Sequence, residues 1–417
     1  MGRHGDGSIT QRRGANGRTV FDAWWTCSDL ETGARKRGGK RGFATQTEAG
    51  RHLRSVTVAV DAGTYVKTSR ITLRAYLDEW ISTVRLKPQT VIGYKNKIRL
   101  HIDPHLGHLP MAEIRGHHLN ALYRTLETQG SPGGRGKLSL STVREVHAIL
   151  SSAYTAAIKE GRLGLTVSPT KQASPPKARD AKAARPSYVT WTGPQVRDFL
   201  ARAADDHYGM LWRFLAATGC RRGEALGLRW ADIDVERGTA TLRTSIGEGR
   251  KTVVDPDGTE REVRVLISGS LKSDRPRVVS LDPETLQHLE RHRDAQAAER
   301  EHLGEQWQDN GLVFCRGERW LRADAVAGVA LDPERISEAF QRRVEAIGLP
   351  RIRLHDLRHT WATLALQNGV HVKVVQERLG HASASITLDI YSHVTEGMDR
   401  DAANTVAALF GAADSSR

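Results

Sequence analysis

The order of apolar and polar positions divides the chain into a strand-rich beginning and a mainly helical remainder. The segments GSITQRR, TVFDAWWTCSDLETG and KRGFATQ are short apolar or basic runs separated by turn residues, which predicts three strands. Thr45 with Glu48 three residues later is a capping-box pattern and marks the start of a following helix. We therefore predict a small sheet-plus-helix domain over residues 1–67.

Residues 72–169 have the spacing of helices. The first helix begins near Thr72 and ends at Lys87-Pro88, two shorter ones cover about 90–98 and 117–126, and the fourth runs over about 141–160. The first presents Leu73, Leu77, Trp80 and Ile81 on one face, and the fourth presents Val143, Val146, Ile149, Leu150 and Tyr154. Four helices of this size bury one modest core, so this stretch is predicted to be a second domain.

The next segment, TKQASPPKARDAKAARPS over residues 170–187, has almost no apolar bulk and predicts an extended linker. From 188 to about 400, helices over 193–203 and 207–217 precede strands over 239–245 and 263–267 and a hairpin over 271–281. A long polar helix over 283–308 and an exposed loop over 313–320 follow. The tail, residues 401–417, contains an apolar-faced helix over 402–410. The predicted fold class is multidomain and mainly α, with a small antiparallel sheet in the third domain.

Charge and cysteine content restrict the function. The net charge is +14 and the pI about 9.9, which indicates a polyanionic partner, most commonly nucleic acid. The three cysteines lie far apart, which fits a reducing cytoplasm without a disulfide framework. No Cys or His cluster has zinc spacing, and no apolar run suits a membrane span or a secretory signal. We expect a soluble, cytoplasmic protein with no metal, cofactor or membrane partner.

Candidate chemistry is concentrated between Arg353 and Val394. His355 and Arg358 are three residues apart, so both side chains leave one face of a predicted helix. A second helix ends at Gly380, His381 follows directly, and Tyr391 lies ten residues later. Each of these residues alone is more often structural. The two predicted helices and the turn between them also fit a helix-turn-helix motif that binds DNA without catalysing a reaction.

A further candidate lies upstream, in the segment ATGCRRGEALGLRW. Thr218-Gly219 ends one helix, and Arg221 stands near the start of the next, where backbone N–H groups favour an anion. Glu224 is close enough in sequence to hold the guanidinium in place. Arg222 is the alternative candidate, and a surface Arg–Glu pair is the simplest interpretation.

The ordered set H-x-x-R, L-G-H and Tyr391 resembles the C-terminal signature of the tyrosine recombinases, the phage-integrase family. The segment around Arg221 fits the family's pattern T-G-x-R-x-x-E. The family also has a catalytic lysine at a hairpin tip, five residues before an arginine, a spacing that Lys272 and Arg277 match. The resemblance, which covers roughly residues 72–400, implies the catalytic residues Arg221, Lys272, His355, Arg358 and His381, with Tyr391 as the nucleophile.

Roles follow from the resemblance and from phosphoryl-transfer chemistry. Tyr391 would form a 3′-phosphotyrosyl intermediate, which conserves bond energy and needs no ATP. Arg221 and Arg358 would clamp the non-bridging oxygens, and Lys272 would protonate the leaving 5′-hydroxyl. His355 would take or orient the tyrosine proton, and His381 would donate to a phosphate oxygen. With this much positive charge, no metal is required.

The family's architecture supplies further expectations. Residues 1–67 are similar to arm-type DNA-binding domains. Residues 72–169 would be the core-binding domain, with Lys95, Lys97 and Arg99 as DNA contacts, and 188–400 would be the catalytic domain. The expected partners are double-stranded DNA at core and arm sites, a homotetramer on that DNA, and an excision or DNA-bending accessory protein. In the family the tail helix often packs on a neighbouring protomer. Folding back onto its own domain is the alternative.

The arm-type domain favours an integrase of a phage or integrative element over a Xer-type resolvase. Type IB topoisomerases share the chemistry but not this three-part layout. A non-catalytic DNA-binding regulator on the same fold is the alternative from a different class. The presence of Tyr391 and of both arginines argues against it.

Overall fold

The computed structural model describes residues 7–14, 17–28, 35–61, 70–134, 136–161, 165–184, 188–255, 257, 259–271, 275–320, 326–383, 387, 403–404 and 406–407. The chain divides into two compact units, Met1–Arg185 and Pro186–Arg417. Among the described residues, no helix is long and apolar enough to cross a membrane.

The first unit begins with an antiparallel sheet of order β1-β2-β3, formed by β1 (Ser8–Arg13), β2 (Thr19–Ser28) and β3 (Arg35–Phe43). Helix α1 (Gln46–Asp61) covers one face. Successive side chains of a strand point to opposite faces, so Trp25 enters the small core with Ala23 and Val56, while Trp24 lies on the other face. The predicted three strands and one helix are confirmed.

The rest of the first unit is helical. Its helices are α2 (Leu73–Thr83), α3 (Pro88–Lys97), α4 (Asp103–Leu106), α5 (Gly116–Thr128) and α6 (Leu140–Glu160). Thr72 caps α2 by accepting a hydrogen bond from Ala75 N, and a π-helical turn, Ile98–Ile102, connects α3 to α4. Leu77, Tyr123 and Ile149 lie fully inside the shared core. The four helices predicted by periodicity are present, with α4 in addition.

The conformation predicted for residues 170–187 is wrong in its described part. A 3₁₀ turn, Pro169–Gln172, and helix α7 (Ala178–Ala183) pack on α5 and α6. Asn120 Oδ1 accepts a hydrogen bond from Ser174 N, and Arg144 donates to the Pro176 carbonyl. Side chains of α5 and α6 thus hold the backbone of this segment by hydrogen bonds, which require no apolar side chains in the segment itself. Its function as a linker stays a prediction, as do the domain boundaries.

The second unit is mixed, with helices predominating. Its helices are α8 (Gly193–Arg202), α9 (Gly209–Thr218), α10 (Arg222–Leu226), α11 (Pro283–Leu303), α12 (Pro333–Ile347), α13 (Asp356–Gln367) and α14 (Val372–Leu379). Strands β4 (Ile233–Asp234), β5 (Thr239–Leu242) and β8 (Arg277–Ser280) form an antiparallel sheet of order β4-β5-β8. Strands β6 (Thr244–Val254) and β7 (Glu260–Ser270) form a separate two-stranded ribbon. The predicted fold class is confirmed.

The core of the second unit is built around α9, which packs against α8, α11 and α13. Trp212 of α9 meets Phe340 of α12 edge to face, and Trp191 and Phe199 complete this aromatic cluster. The predicted exposed loop over 313–320 is wrong, because Val313 and Phe314 are buried in this core. Phe314 packs against Phe214 of α9.

Three predictions fall outside the described residues. Lys272 and Tyr391 cannot be placed, and the predicted tail helix over 402–410 is described only at residues 403–404 and 406–407.

Candidate active site

A tight turn between α9 and α10 places Arg221. Gly219 is the C-cap of α9, and its φ of 63° lies in the left-handed region that favours glycine. A Cβ at Gly219 would come within 3.0 Å of Leu379 Cδ2 and 3.2 Å of Trp361 Cγ. The turn therefore packs directly on α13 and α14. Two residues later Arg221 is the N-cap of α10.

Glu224 holds Arg221 by two hydrogen bonds. Its Oε1 accepts from Arg221 Nη1 at 2.8 Å and its Oε2 from Arg221 N at 2.8 Å. Arg221 Nη2 also donates to the carbonyl of Gly380 at 3.3 Å. The side chain of Arg221 is 26% exposed and that of Glu224 only 1%. The local interaction predicted for Glu224 is present, and it is buried rather than a surface pair.

A second arginine binds the same carboxylate. Arg277, the first residue of β8, donates from Nη1 to Glu224 Oε1 at 2.9 Å and from Nη2 to Glu224 Oε2. Burial would raise the pKa of Glu224, but the hydrogen bonds and charge of Arg277, and then the charge of Arg221, lower it to about 2. Glu224 is therefore an anion between two cations at neutral pH.

Arg358 enters from α13 and is the most deeply buried of the three arginines, at 3% exposure. Its Nη1 donates to the Gly219 carbonyl at 2.9 Å and its Nη2 to the Leu379 carbonyl. Burial, followed by the charge of Arg221, lowers its pKa to about 10. The guanidinium stays charged at pH 7.

The three arginines converge on consecutive carbonyls at the end of α14. Arg277 Nε donates to the Arg378 carbonyl at 3.0 Å, and Arg358 and Arg221 bind the next two, those of Leu379 and Gly380. The last carbonyls of a helix have no intrahelical partner and carry the negative end of its dipole. Helix α14 therefore gathers three cations at one point.

Two histidines at the start of α13 lie beside this cluster. His355 is the N-cap residue, and its ring meets that of His359 edge to face at 5.2 Å between centroids. His359 stacks in turn on Tyr188 at 4.0 Å. His355 is exposed, but it lies near the charges of Arg358 and Arg221. Loss of hydration and then the charge of Arg358 lower its pKa to about 4, so the ring is neutral at pH 7.

His381 follows α14 directly. Its Nδ1 lies 2.9 Å from Thr387 Oγ1, and its carbonyl accepts from Gln376 Nε2 at 3.1 Å. Partial burial, then the charges of Arg358 and Arg221, lower its pKa to about 4. If Thr387 donates to Nδ1, the neutral ring carries its proton on Nε2 and can donate it to a ligand.

The structure brings together four of the six predicted residues, namely Arg221, His355, Arg358 and His381. Arg222 points away from them, since its guanidinium donates to the Pro333 carbonyl and to Ser337 Oγ. Sequence reasoning did not assign a role to Arg277. Its place at the start of a strand after a hairpin was visible, but its long-range bond to Glu224 was not.

Among the described residues, no group of three or more His, Cys, Asp or Glu side chains could hold a metal ion.

Comparisons with known proteins identify the family. The sequence pattern of the phage integrase family matches residues 193–398, and that of the phage integrase N-terminal SAM-like domain matches residues 72–126. A tyrosine recombinase XerC-like protein of Caldanaerobacter subterraneus subsp. tengcongensis is 25% identical over 355 residues, 84% of this chain and 86% of that protein. The integrase of Mycobacterium phage D29 is 27% identical over 346 residues, 82% of this chain and 80% of that one.

The chain belongs to the phage integrase family. It is a tyrosine recombinase, an enzyme of site-specific DNA recombination.

The fold of the recombinase agrees with solved structures. It is similar to the Tn1549 transposon integrase in complex with a circular intermediate DNA, with a TM-score of 0.59 and 19% identity over 80% of this chain and 99% of that chain. It is also similar to a lambda integrase dimer bound to a core site, with a TM-score of 0.51 and 18% identity over 91% of this chain and 94% of that chain. At these identities the similarity concerns the fold.

The buried neutral histidine predicts a pH dependence of stability. The pKa of His359 is lowered from 6.5 to about 4 by burial and by the charge of His355. Between these values the unfolded chain binds more protons than the folded one, so stability falls as the pH falls. We expect the thermal unfolding midpoint to decrease from pH 7 to 4.5, and His359→Gln to make that decrease shallower.

The control is His302→Gln, since the His302 side chain is 71% exposed. The prediction would be contradicted if the thermal unfolding midpoint of His359→Gln decreased with pH as steeply as that of the unaltered protein.

Proposed function

We propose that this recombinase integrates and excises a phage or integrative element by cleaving and rejoining DNA through Tyr391. One observation carries the proposal: three arginines converge at the end of α14 beside two neutral histidines. This arrangement suits a phosphodiester whose negative charge increases during displacement. The partner is DNA, assembled with four copies of the chain. An excision or DNA-bending accessory protein stays a prediction, as does the cytoplasmic location.

The reaction exchanges one phosphoester for another. The Tyr391 oxygen attacks phosphorus in line, the bond from phosphorus to the 5′-oxygen breaks, and the leaving oxygen takes a proton from Lys272. Converting a free phenol to phenolate at pH 7 costs about 4 kcal/mol. The cationic cluster offsets that cost by stabilising the developing charge. Resealing reverses the steps, so no energy source is required.

Each described side chain has a role that its contacts support. Every terminal guanidinium nitrogen carries two hydrogens, so Arg221 and Arg358 can bind a phosphate while they keep their bonds to the carbonyls. His355 is neutral at pH 7 and can accept the tyrosine proton. His381 can donate to a phosphate oxygen from Nε2.

Residues 1–67 are proposed to bind arm-type DNA sites through the face of the sheet opposite α1. Trp24 lies on that face, where the guanidinium of Arg37 is 4.7 Å from its ring and that of Arg41 5.0 Å. Trp24 Nε1 also donates to Thr10 Oγ1. These cation–π contacts with the Trp24 ring hold Arg37 and Arg41 in an orientation suited to phosphate or base contact. This domain favours an integrase over a Xer-type resolvase.

Replacing the nucleophile tests the central step. Tyr391→Phe removes only the phenolic oxygen, so we expect no covalent protein–DNA adduct after denaturation, while binding of core-site DNA remains. The control is Tyr208→Phe, which keeps the ring that packs on Trp212. An adduct formed by Tyr391→Phe would disprove the assignment. An unaltered chain that binds but never forms an adduct would favour the non-catalytic regulator.

Adjacent arginines offer a matched comparison. Arg221→Ala removes a phosphate ligand and should slow single-turnover cleavage by about 100-fold or more. Arg222→Ala removes the bonds to Pro333 and Ser337, so it should lower stability but leave the cleavage rate of folded protein within about tenfold. The measurement is adduct formation against time at saturating DNA. The reverse order of effects would exchange the two assignments.

The sheet face can be tested separately. Arg37→Ala with Arg41→Ala should weaken arm-site binding, leave core-site binding unchanged, and reduce the slope of log affinity against log salt by up to about 2. Arg51→Ala on α1 is the control, because it removes an exposed cation from another surface. Equal losses at both kinds of site would argue against a separate arm-binding domain.

A further inference from the structure

Arg277 is half-buried at the site, and none of the chemical steps above uses it. Its Nε donates to the Arg378 carbonyl, and its two terminal nitrogens bind the two oxygens of Glu224. The side chain is 11% exposed, against 26% for Arg221. Its two terminal nitrogens are thus both bonded to a carboxylate of the protein, whereas those of Arg358 are bonded to carbonyls.

The bonds of Arg277 connect three elements around the site, α10, α14 and β8. Glu224 belongs to α10 and also binds Arg221. Arg378 is in the last turn of α14, one residue before the carbonyl that Arg358 binds. Arg277 itself opens β8, five residues after Lys272. A side chain in this place can set the position of Arg221 relative to the end of α14 without touching the DNA.

We propose that Arg277 is a positioning residue: its two terminal guanidinium nitrogens hold Glu224 so that the carboxylate orients Arg221 for the scissile phosphate. The inference rests on the proposed function of Arg221.

The physical reason lies in how Glu224 is shared. Its Oε1 accepts from both Arg221 and Arg277, so neither arginine can draw the carboxylate fully to itself. Without Arg277, the carboxylate would turn toward Arg221, its remaining partner, and draw that guanidinium away from the Gly380 carbonyl. A displacement of about 1 Å in a group that positions the substrate can reduce a rate by about 100-fold.

A pH profile separates this role from a general loss of packing. The groups facing Glu224 are Arg221, Arg277, Arg358 and Cys220, and burial raises the pKa of the Cys220 thiol to about 11, so it stays neutral. Removing Arg277 removes the largest influence that lowers the pKa of Glu224 and leaves burial, which raises that pKa, opposed by Arg221. Glu224 would become protonated as the pH falls, and Arg221 would lose its anionic partner.

The experiment measures single-turnover adduct formation by the full chain at saturating core-site DNA from pH 5 to 8. Arg277→Met should lower the rate at pH 8 about 100-fold and leave the Kd for DNA within about threefold. Its rate should also decrease further as the pH is lowered from 8 to 5. Arg277→Lys keeps the positive charge but not the two-pronged guanidinium, so its rate of adduct formation should fall about tenfold. This variant should fold even if Arg277→Met does not. Arg342→Met on α12 is the control, since its side chain is 67% exposed.

The double variant Arg277→Met, Glu224→Gln tests the route of the effect. Glutamine does not titrate, so the acid-side fall should vanish. The proposal would be overturned if Arg277→Lys and Arg277→Met both had the rate and the pH profile of the control, Arg342→Met. It would also be overturned if the decrease in rate at low pH persisted in the double variant. Absence of an adduct from the unaltered chain would instead overturn the proposed function.

Discussion

The site depends on the concentration of three guanidinium groups at the C-terminal end of α14. Two like charges about 6 Å apart repel by about 3 kcal/mol at an effective dielectric constant of about 20, so such a cluster needs compensation in the folded protein. The carbonyls of Arg378, Leu379 and Gly380 each accept from one arginine, and Glu224 supplies a full negative charge between two of them. The fold thus holds the cations in place before any phosphate arrives, and binding requires little reorganisation.

The same cluster determines the state of the histidines. Loss of hydration and nearby positive charge keep His355 and His381 neutral at pH 7, with pKa values of about 4. A neutral imidazole can accept a proton at one nitrogen and donate a hydrogen bond from the other, and these are the roles proposed for His355 and His381. The arginines stay charged at pH 7, so they supply electrostatic stabilisation, and the histidines are left to handle the proton. One arrangement of charges therefore supplies both parts of the proposed chemistry.

Much of this could be predicted from local sequence, and the failures have a common cause. Helical periodicity located most helices, and the H-x-x-R spacing placed His355 and Arg358 on one helix. Glu224, three residues after Arg221, was expected to hold it and does so. Contacts between distant segments were missed: the bond from Arg277 to Glu224, the burial of Val313 and Phe314, and the packing of α7 on α6. Each depends on tertiary neighbours that neither propensity nor spacing encodes. Lys272 and Tyr391 lie outside the described residues and keep their assignments as predictions.

Two glycines permit a direct test of the claim that the end of α14 organises the arginines. Gly380 and Gly369 have similar left-handed backbones, with φ of 65° and 76°. A Cβ at Gly380 would lie 3.2 Å from Arg277 Nη1, whereas one at Gly369 would have nothing within 4 Å. Alanine at either position has a similar backbone cost of about 1–2 kcal/mol, but only Gly380→Ala disturbs the arginine cluster. The measurement is the single-turnover rate of covalent adduct formation at saturating DNA. We expect a loss of at least tenfold for Gly380→Ala and nearly none for Gly369→Ala, and equal rates for the two variants would contradict the claim.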